Sequence, residues 1–266
     1  MKNFMLYAGP PRTASTWLYG ALNGRGDCDF SYIKEHFLCL DFTLNPEFDK
    51  TTFFEHYEEL ASNPDVKLLG EMSTTNCFMT LDELHWFKSE AAKKNFTVLP
   101  VITLRDPINQ ILSSTKLAMK IDKIRRQGSI EMIHDITTGK KPMPEVNLTV
   151  ESIIRHLNDI PFKERKVSWK TTYDNMHEVF DKVHVNFYET LFTNESMNKL
   201  CEYLQIPTNE FDFSKIVHKM GDNIYLSDGD KSRIYQASDS MLDNYQFAVE
   251  TFGKDFIESI WWTPNK

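Results

Sequence analysis

The sequence predicts an α/β fold in which a central parallel β-sheet is flanked by helices, and three observations carry that expectation. Short apolar runs alternate with stretches of helical periodicity along most of the chain. A Gly/Pro-rich loop beginning Gly9-Pro10-Pro11-Arg12 joins the first apolar run directly to the first amphipathic stretch. The length of 266 residues, 41% hydrophobic and 26% charged, suits one domain spanning 1–266 with a sizeable core.

Phe4 to Ala8 reads as a short strand and Ser15 to Leu22 as a helix, with a tight turn between them. Further strands are expected at Val66 to Leu69, Val98 to Leu104 and Val183 to Tyr188, each followed by a helical pattern. Ile108 to Arg126 reads as a long helix, after which Gly128, Gly139 and Pro142 break the periodicity up to about Val150. That stretch is expected to be a mobile surface segment. Helical spacing resumes at Thr149 to Leu157, Asn175 to Phe180, Glu195 to Leu204 and Ser238 to Phe252.

A net charge of −8 disfavours a polyanion-coating protein, which needs a broad basic face, so any anion site must be local. No apolar run approaches the roughly 20 residues that span a bilayer, and the N-terminal run is too short for a signal peptide, so a soluble, cytoplasmic protein is expected. Cys28, Cys39, Cys77 and Cys201 form no CxxC pair, and the eight histidines show no HExxH or HxH spacing. Neither a disulfide framework nor a metal site is signalled.

The loop Gly9-Pro10-Pro11-Arg12-Thr13-Ala14-Ser15-Thr16 has the length of a phosphate-binding P-loop, but Ala14 and Ser15 stand where a Walker A motif has Gly and Lys. A helix N-terminus after such a loop presents backbone N–H groups and a positive dipole end to an anion, and Arg12, Ser15 and Thr16 add donors. The missing lysine argues against ATP or GTP hydrolysis. The loop thus keeps a P-loop-like frame and loses its lysine.

Pro11-Arg12-Thr13-Ala14-Ser15-Thr16-Trp17-Leu18 resembles the 5′-phosphosulfate loop of the sulfotransferases that use 3′-phosphoadenosine-5′-phosphosulfate (PAPS). Arg105, closing the strand at Val98 to Leu104, and Ser113, eight residues on, resemble the Arg and Ser of that family's 3′-phosphate site. An arginine at a strand end and a serine two turns into the next helix can reach one phosphate. Asp106-Pro107 between them also reads as a helix N-cap with proline at the first position. Lys231-Ser232-Arg233 resembles the family's Lys-Gly-Arg loop over the 3′-phosphate and adenine, with Ser232 in place of the glycine. The resemblance thus assigns cofactor contacts to Arg12, Thr13, Ala14, Ser15, Thr16, Trp17, Arg105, Ser113, Lys231, Ser232 and Arg233.

Lys34-Glu35-His36-Phe37 resembles the Lys-Glu-x-His-Phe-Phe segment of the glycosaminoglycan (heparan sulfate) branch, one residue shorter. In that pattern Glu35 is the first choice of base and His36 the alternative, with Lys34 and Arg12 stabilising charge on the bridging oxygen. Gly70-Glu71-Met72-Ser73-Thr74-Thr75 resembles a Glu-Lys-Ser/Thr segment of the branch, but Met72 replaces its substrate-contacting lysine. Tyr188-Glu189-Thr190-Leu191 resembles the family's Tyr-Glu-Asp-Leu and reads as scaffold.

The resemblance implies sulfuryl transfer from PAPS to a hydroxyl or amine of an unidentified acceptor, a carbohydrate or small molecule, releasing 3′,5′-adenosine bisphosphate (PAP) without a metal. The region about 120–165 matches no family segment and is expected to cover the acceptor. The oligomeric state is not written in the sequence. Two other readings of the loop stand beside this one: a P-loop-type nucleotide or small-molecule kinase, and a non-catalytic nucleotide-binding module.

Overall fold

The computed structural model describes residues 1–32, 34–36, 50–127, 142–158, 168–214 and 224–264. Its strands are β1 (Lys2–Tyr7), β2 (Cys28–Asp29), β3 (Leu68–Glu71), β4 (Phe96–Leu104) and β5 (His184–Phe187). Its helices are α1 (Ser15–Asn23), α2 (Lys50–Ala61), α3 (Leu81–Lys93), α4 (Pro107–Gln127), α5 (Val150–Leu157) and α6 (Trp169–Val179), followed by α7 (Tyr188–Leu191), α8 (Asn194–Leu204), α9 (Asp228–Gln236), α10 (Asp239–Phe252) and α11 (Lys254–Ile260). The chain gathers into two compact units, Met1–Arg105 with Val167–Lys219, and Asp106–Lys166 with Met220–Lys266.

The first unit holds a five-stranded, all-parallel sheet in the order β2-β3-β1-β4-β5. β1 lies in the middle, with Leu6 beside Glu71 on one side and Tyr7 beside Val101 on the other. Being covered on both faces, it reads as a continuous apolar run, and Phe4, Met5, Leu6 and Tyr7 are all fully buried. Alternation sends Met5 and Tyr7 towards Trp17, Leu18 and Leu22 of α1 and Met197, Leu200 and Leu204 of α8.

Phe4 points the other way, into Phe54 and Tyr57 of α2, Phe87 of α3 and Phe96, with ring centroids 4.8–6.3 Å away. Each such aromatic contributes roughly 2–3 kcal/mol through burial. Helices on both faces make three layers, as the alternation of elements predicts. The expected strand at Val66 to Leu69 begins two residues later, and β2, two residues long, carries no periodicity to read.

Local signals set the helix ends. Thr80 and Glu83 close a capping box on α3. Ser168 accepts from the Thr171 amide, so α6 begins six residues before the stretch at Asn175 to Phe180 that shows clear spacing.

In the second unit Asp106 caps α4 as its sequence suggests. Its Oδ1 accepts from the Asn109 amide at 3.0 Å, while Oδ2 accepts from the Trp262 amide at 2.9 Å. Lys231, Ser232 and Arg233 lie within helix α9, not in a loop. Ser227 and Asp230 form a capping box that starts a helix there. Most of the mobile segment expected between α4 and α5 lies outside the described residues, as does Phe37. Among the described residues no helix is long and apolar enough to cross a membrane.

Candidate active site

The carboxyl ends of parallel strands share one edge of the sheet, where α/β folds place their ligands. Here β1, β4 and β5 deliver arginines and a tyrosine to that edge, while the segments after β2 and at the end of β3 deliver carboxylates and the His36 imidazole.

The loop after β1 is built on two residues in the left-handed region, Arg12 at φ 74° and Ala14 at φ 70°. Glycine is the usual residue at such angles, so Ala14 keeps the backbone of a phosphate loop without its glycine. Beneath the loop, the buried Thr13 hydroxyl donates to the Pro10 carbonyl at 2.6 Å and meets the Tyr7 hydroxyl at 2.8 Å. Burial pushes the Tyr7 phenol up to about 12, so it stays a neutral prop. Gly9 leaves no alternative, since a Cβ there would meet the Tyr7 hydroxyl at 2.4 Å.

Ala14 is the N-cap of α1, and its carbonyl accepts the first intrahelical bond, from the Leu18 amide at 3.0 Å. The amides before Leu18 therefore have no acceptor inside the helix. Ser15 is buried and Thr16 exposed at this end. Trp17 turns away into the core, edge-on to Phe192 at 4.9 Å and stacked on Phe213 at 5.8 Å.

Arg105 follows β4 and reaches across to the loop, donating from Nη1 to the Arg12 carbonyl at 3.0 Å. Its guanidinium lies 4.0 Å from the centre of the Tyr188 ring, which β5 delivers to the same edge. The buried Nε has no hydrogen-bond partner, and Arg105 has no ion pair, among the described residues. Burial, and then the charge of Arg105, hold the Arg12 guanidinium below its ordinary pKa. Two partly buried like charges beside a helix N-terminus fit an anionic group.

Across β1 lies the second half of the edge. Lys34 and Glu35 form an ion pair whose side chains are only 18% and 24% exposed. The His36 ring sits among Phe53, His56 and Tyr57, with centroids 5.6–6.0 Å away. Burial first, and the neighbouring His56 second, lower its pKa, so the imidazole is neutral over a wider pH range than usual.

Glu71 ends β3, fully buried. It accepts from the Ser73 amide at 3.0 Å and the His36 amide at 3.2 Å, and also from the Ser73 hydroxyl and the Asn76 side chain. Burial raises its pKa, and these four donors partly offset that rise.

The remaining sequence-selected residues belong to the second unit. Ser113 lies on α4. On α9, Lys231 pairs with Asp228 at 3.5 Å and lies 5.3 Å from the Trp262 ring centre, whereas Arg233 pairs with Glu151 at 3.5 Å. Among the described residues no group of three His, Cys, Asp or Glu is gathered to hold a metal.

Sequence reasoning gave Glu71 and Tyr7 no functional role and left Tyr188 as scaffold. All three occupy the last position of a strand or the one after it, which was the available signal.

Comparison with solved structures bears on the fold. The crystal structure of a sulfotransferase from Alicyclobacillus acidocaldarius superimposes with a TM-score of 0.54 at 14% identity, covering 93% of this chain and 95% of that one. The fold is that of a sulfotransferase. Mouse sulfotransferase SULT7A1, in complex with PAP, aligns with a TM-score of 0.42 at 13% identity, over 97% of this chain and 82% of that one. No protein-family model and no curated protein sequence matches the chain.

Proposed function

We propose that this protein is a PAPS-dependent sulfotransferase, acting on a hydroxyl or amine acceptor in the manner of the glycosaminoglycan branch that its sequence resembles. The observation carrying the reading is the Arg12 and Arg105 pair, two partly buried cations at the loop before α1, with Tyr188 packed on one of them. PAPS supplies an activated sulfuryl group and leaves as PAP. Arg12, the first amides of α1, Ser15 and Thr16 hold the 5′-phosphosulfate and spread the charge that grows on the bridging oxygen. Arg105 is assigned to the 3′-phosphate; Ser113, Lys231, Ser232 and Arg233 enter through the resemblance alone.

Glu35 takes the acceptor's proton while Lys34 accompanies the departing charge, and His36 is the alternative base. The acceptor's oxygen or nitrogen bonds to sulfur as the bond from sulfur to the bridging oxygen breaks. The region about 120–165 is the part of the chain assigned to acceptor recognition.

Calorimetric titration with PAP, with ADP and magnesium-ATP as controls, tests the reading without an acceptor. Micromolar binding of PAP, with little binding of the controls, supports it. Tighter binding of magnesium-ATP would move the protein to the kinase reading. PAP binding with no turnover of PAPS would move it to the non-catalytic module.

A further inference from the structure

The two halves of the sheet edge are joined by one buried polar bridge. Asn76, fully buried in the 3₁₀ turn Thr74–Phe78, donates to the Tyr7 carbonyl at 3.0 Å, the last residue of β1 before the anion loop. The same amide group donates to Glu71 Oε2, and Glu71 Oε1 accepts from the backbone N–H of His36 at 3.2 Å. The chain of contacts therefore runs from the loop that carries Arg12 to the segment that carries Glu35 and His36.

Every group facing this carboxylate can donate to it, and each oxygen takes one backbone N–H, from His36 on Oε1 and from Ser73 on Oε2. A backbone N–H cannot reverse its role. An amide NH₂ at either oxygen would therefore face a donor, so a glutamine of the same shape cannot satisfy the site.

We propose that Glu71 is the positioning residue of the reaction, fixing the candidate base segment to the anion loop through His36 N–H on one side and Asn76 on the other. Glu71 does not touch substrate, being fully buried; it acts through the backbone it holds. The proposal rests on the sulfotransferase reading above, and its experiment separates the two.

Amide exchange of ¹⁵N-labelled protein, PAP affinity and PAPS turnover with water as the acceptor are compared between the wild type and Glu71→Gln. The expected result has three parts. Exchange at the His36 amide rises at least tenfold while the β1 and β4 amides keep their protection. PAP affinity and the KM for PAPS stay within about twofold, and kcat falls at least tenfold. A folded Glu71→Gln with wild-type exchange at His36 and wild-type kcat overturns the proposal, and so does a fall in PAP affinity equal to the fall in kcat. If Glu71→Gln does not fold, Glu71→Asp, which withdraws the carboxylate by one methylene, is held to the same outcomes. A wild type that neither binds PAP nor turns over PAPS removes the sulfotransferase reading instead, whatever the exchange at His36 shows.

Discussion

The guanidinium of Arg105 donates to the main-chain carbonyl of Arg12 at 3.0 Å, so one cation orients the loop that carries the other. Replacing Arg105 with alanine removes the brace on the loop together with the cation proposed to contact the 3′-phosphate. Arg105→Ala is expected to weaken PAP binding by about 2 kcal/mol, roughly thirtyfold, by calorimetry. Arg105→Lys should recover only part of this, since lysine lacks the planar face that stacks on Tyr188. Unchanged affinity in the alanine variant would remove Arg105 from the site.

Ala14 adopts φ 70° and ψ 14°, a conformation that costs residues with a Cβ about 1 kcal/mol. Ala14→Gly should therefore stabilise the protein by roughly 0.5 kcal/mol in urea unfolding, the relief of strain being partly offset by the freer unfolded chain. A loss of stability on this substitution would mean that the left-handed backbone is not strained.

Glu35→Gln keeps the shape of the side chain and loses the carboxylate proposed as the proton acceptor. PAP affinity should stay within twofold while PAPS turnover falls by at least a hundredfold. Turnover at the wild-type rate would pass the role to His36, for which His36→Ala is the corresponding test.

His36 is held neutral by burial and by His56, so its folded pKa lies below the unfolded value of about 6.5. Between those two values the unfolded chain binds more protons, so stability falls as pH drops below about 6.5 and continues to fall through the folded pKa. His36→Gln should flatten this acid limb in urea titrations at several pH values. Part of the slope should survive, because burial lowers the pKa of His184 as well.

Asp106 takes two backbone amides, one at the start of α4 and one from Trp262. Asp106→Ala removes the cap and leaves the part-buried Trp262 amide without this acceptor, a loss of about 2–3 kcal/mol expected by chemical unfolding. Asp106→Asn, which retains an acceptor for one amide, should cost less.

Much of the fold was legible where a single physical signal dominated. β1 and β4 are apolar runs long enough to stand out, and the Asp106-Pro107 cap marks the start of α4 within one residue. Lys231 to Arg233 were read as a loop through their resemblance to the family's Lys-Gly-Arg segment, whereas the capping box at Ser227 starts a helix there. The loop after β1 was legible because its residues are contiguous. Glu71 was not, because its partners Ser73, Asn76 and His36 meet only when β3 lies beside β1 and the segment after β2 folds back over it. A carboxylate followed by Met-Ser-Thr carries no local sign of burial.

The middle place of β1 in the sheet also sets an order in time. Its nearest partner residue, Leu68 opposite Asn3, is synthesised about 65 residues later, and Phe96 opposite Lys2 later still. At ~5–20 residues per second, a strand of four fully buried apolar residues waits roughly 3 to 13 seconds for its first neighbour. During biosynthesis this apolar stretch stands without a partner strand for that interval, and slowing translation across α2 would lengthen its exposure.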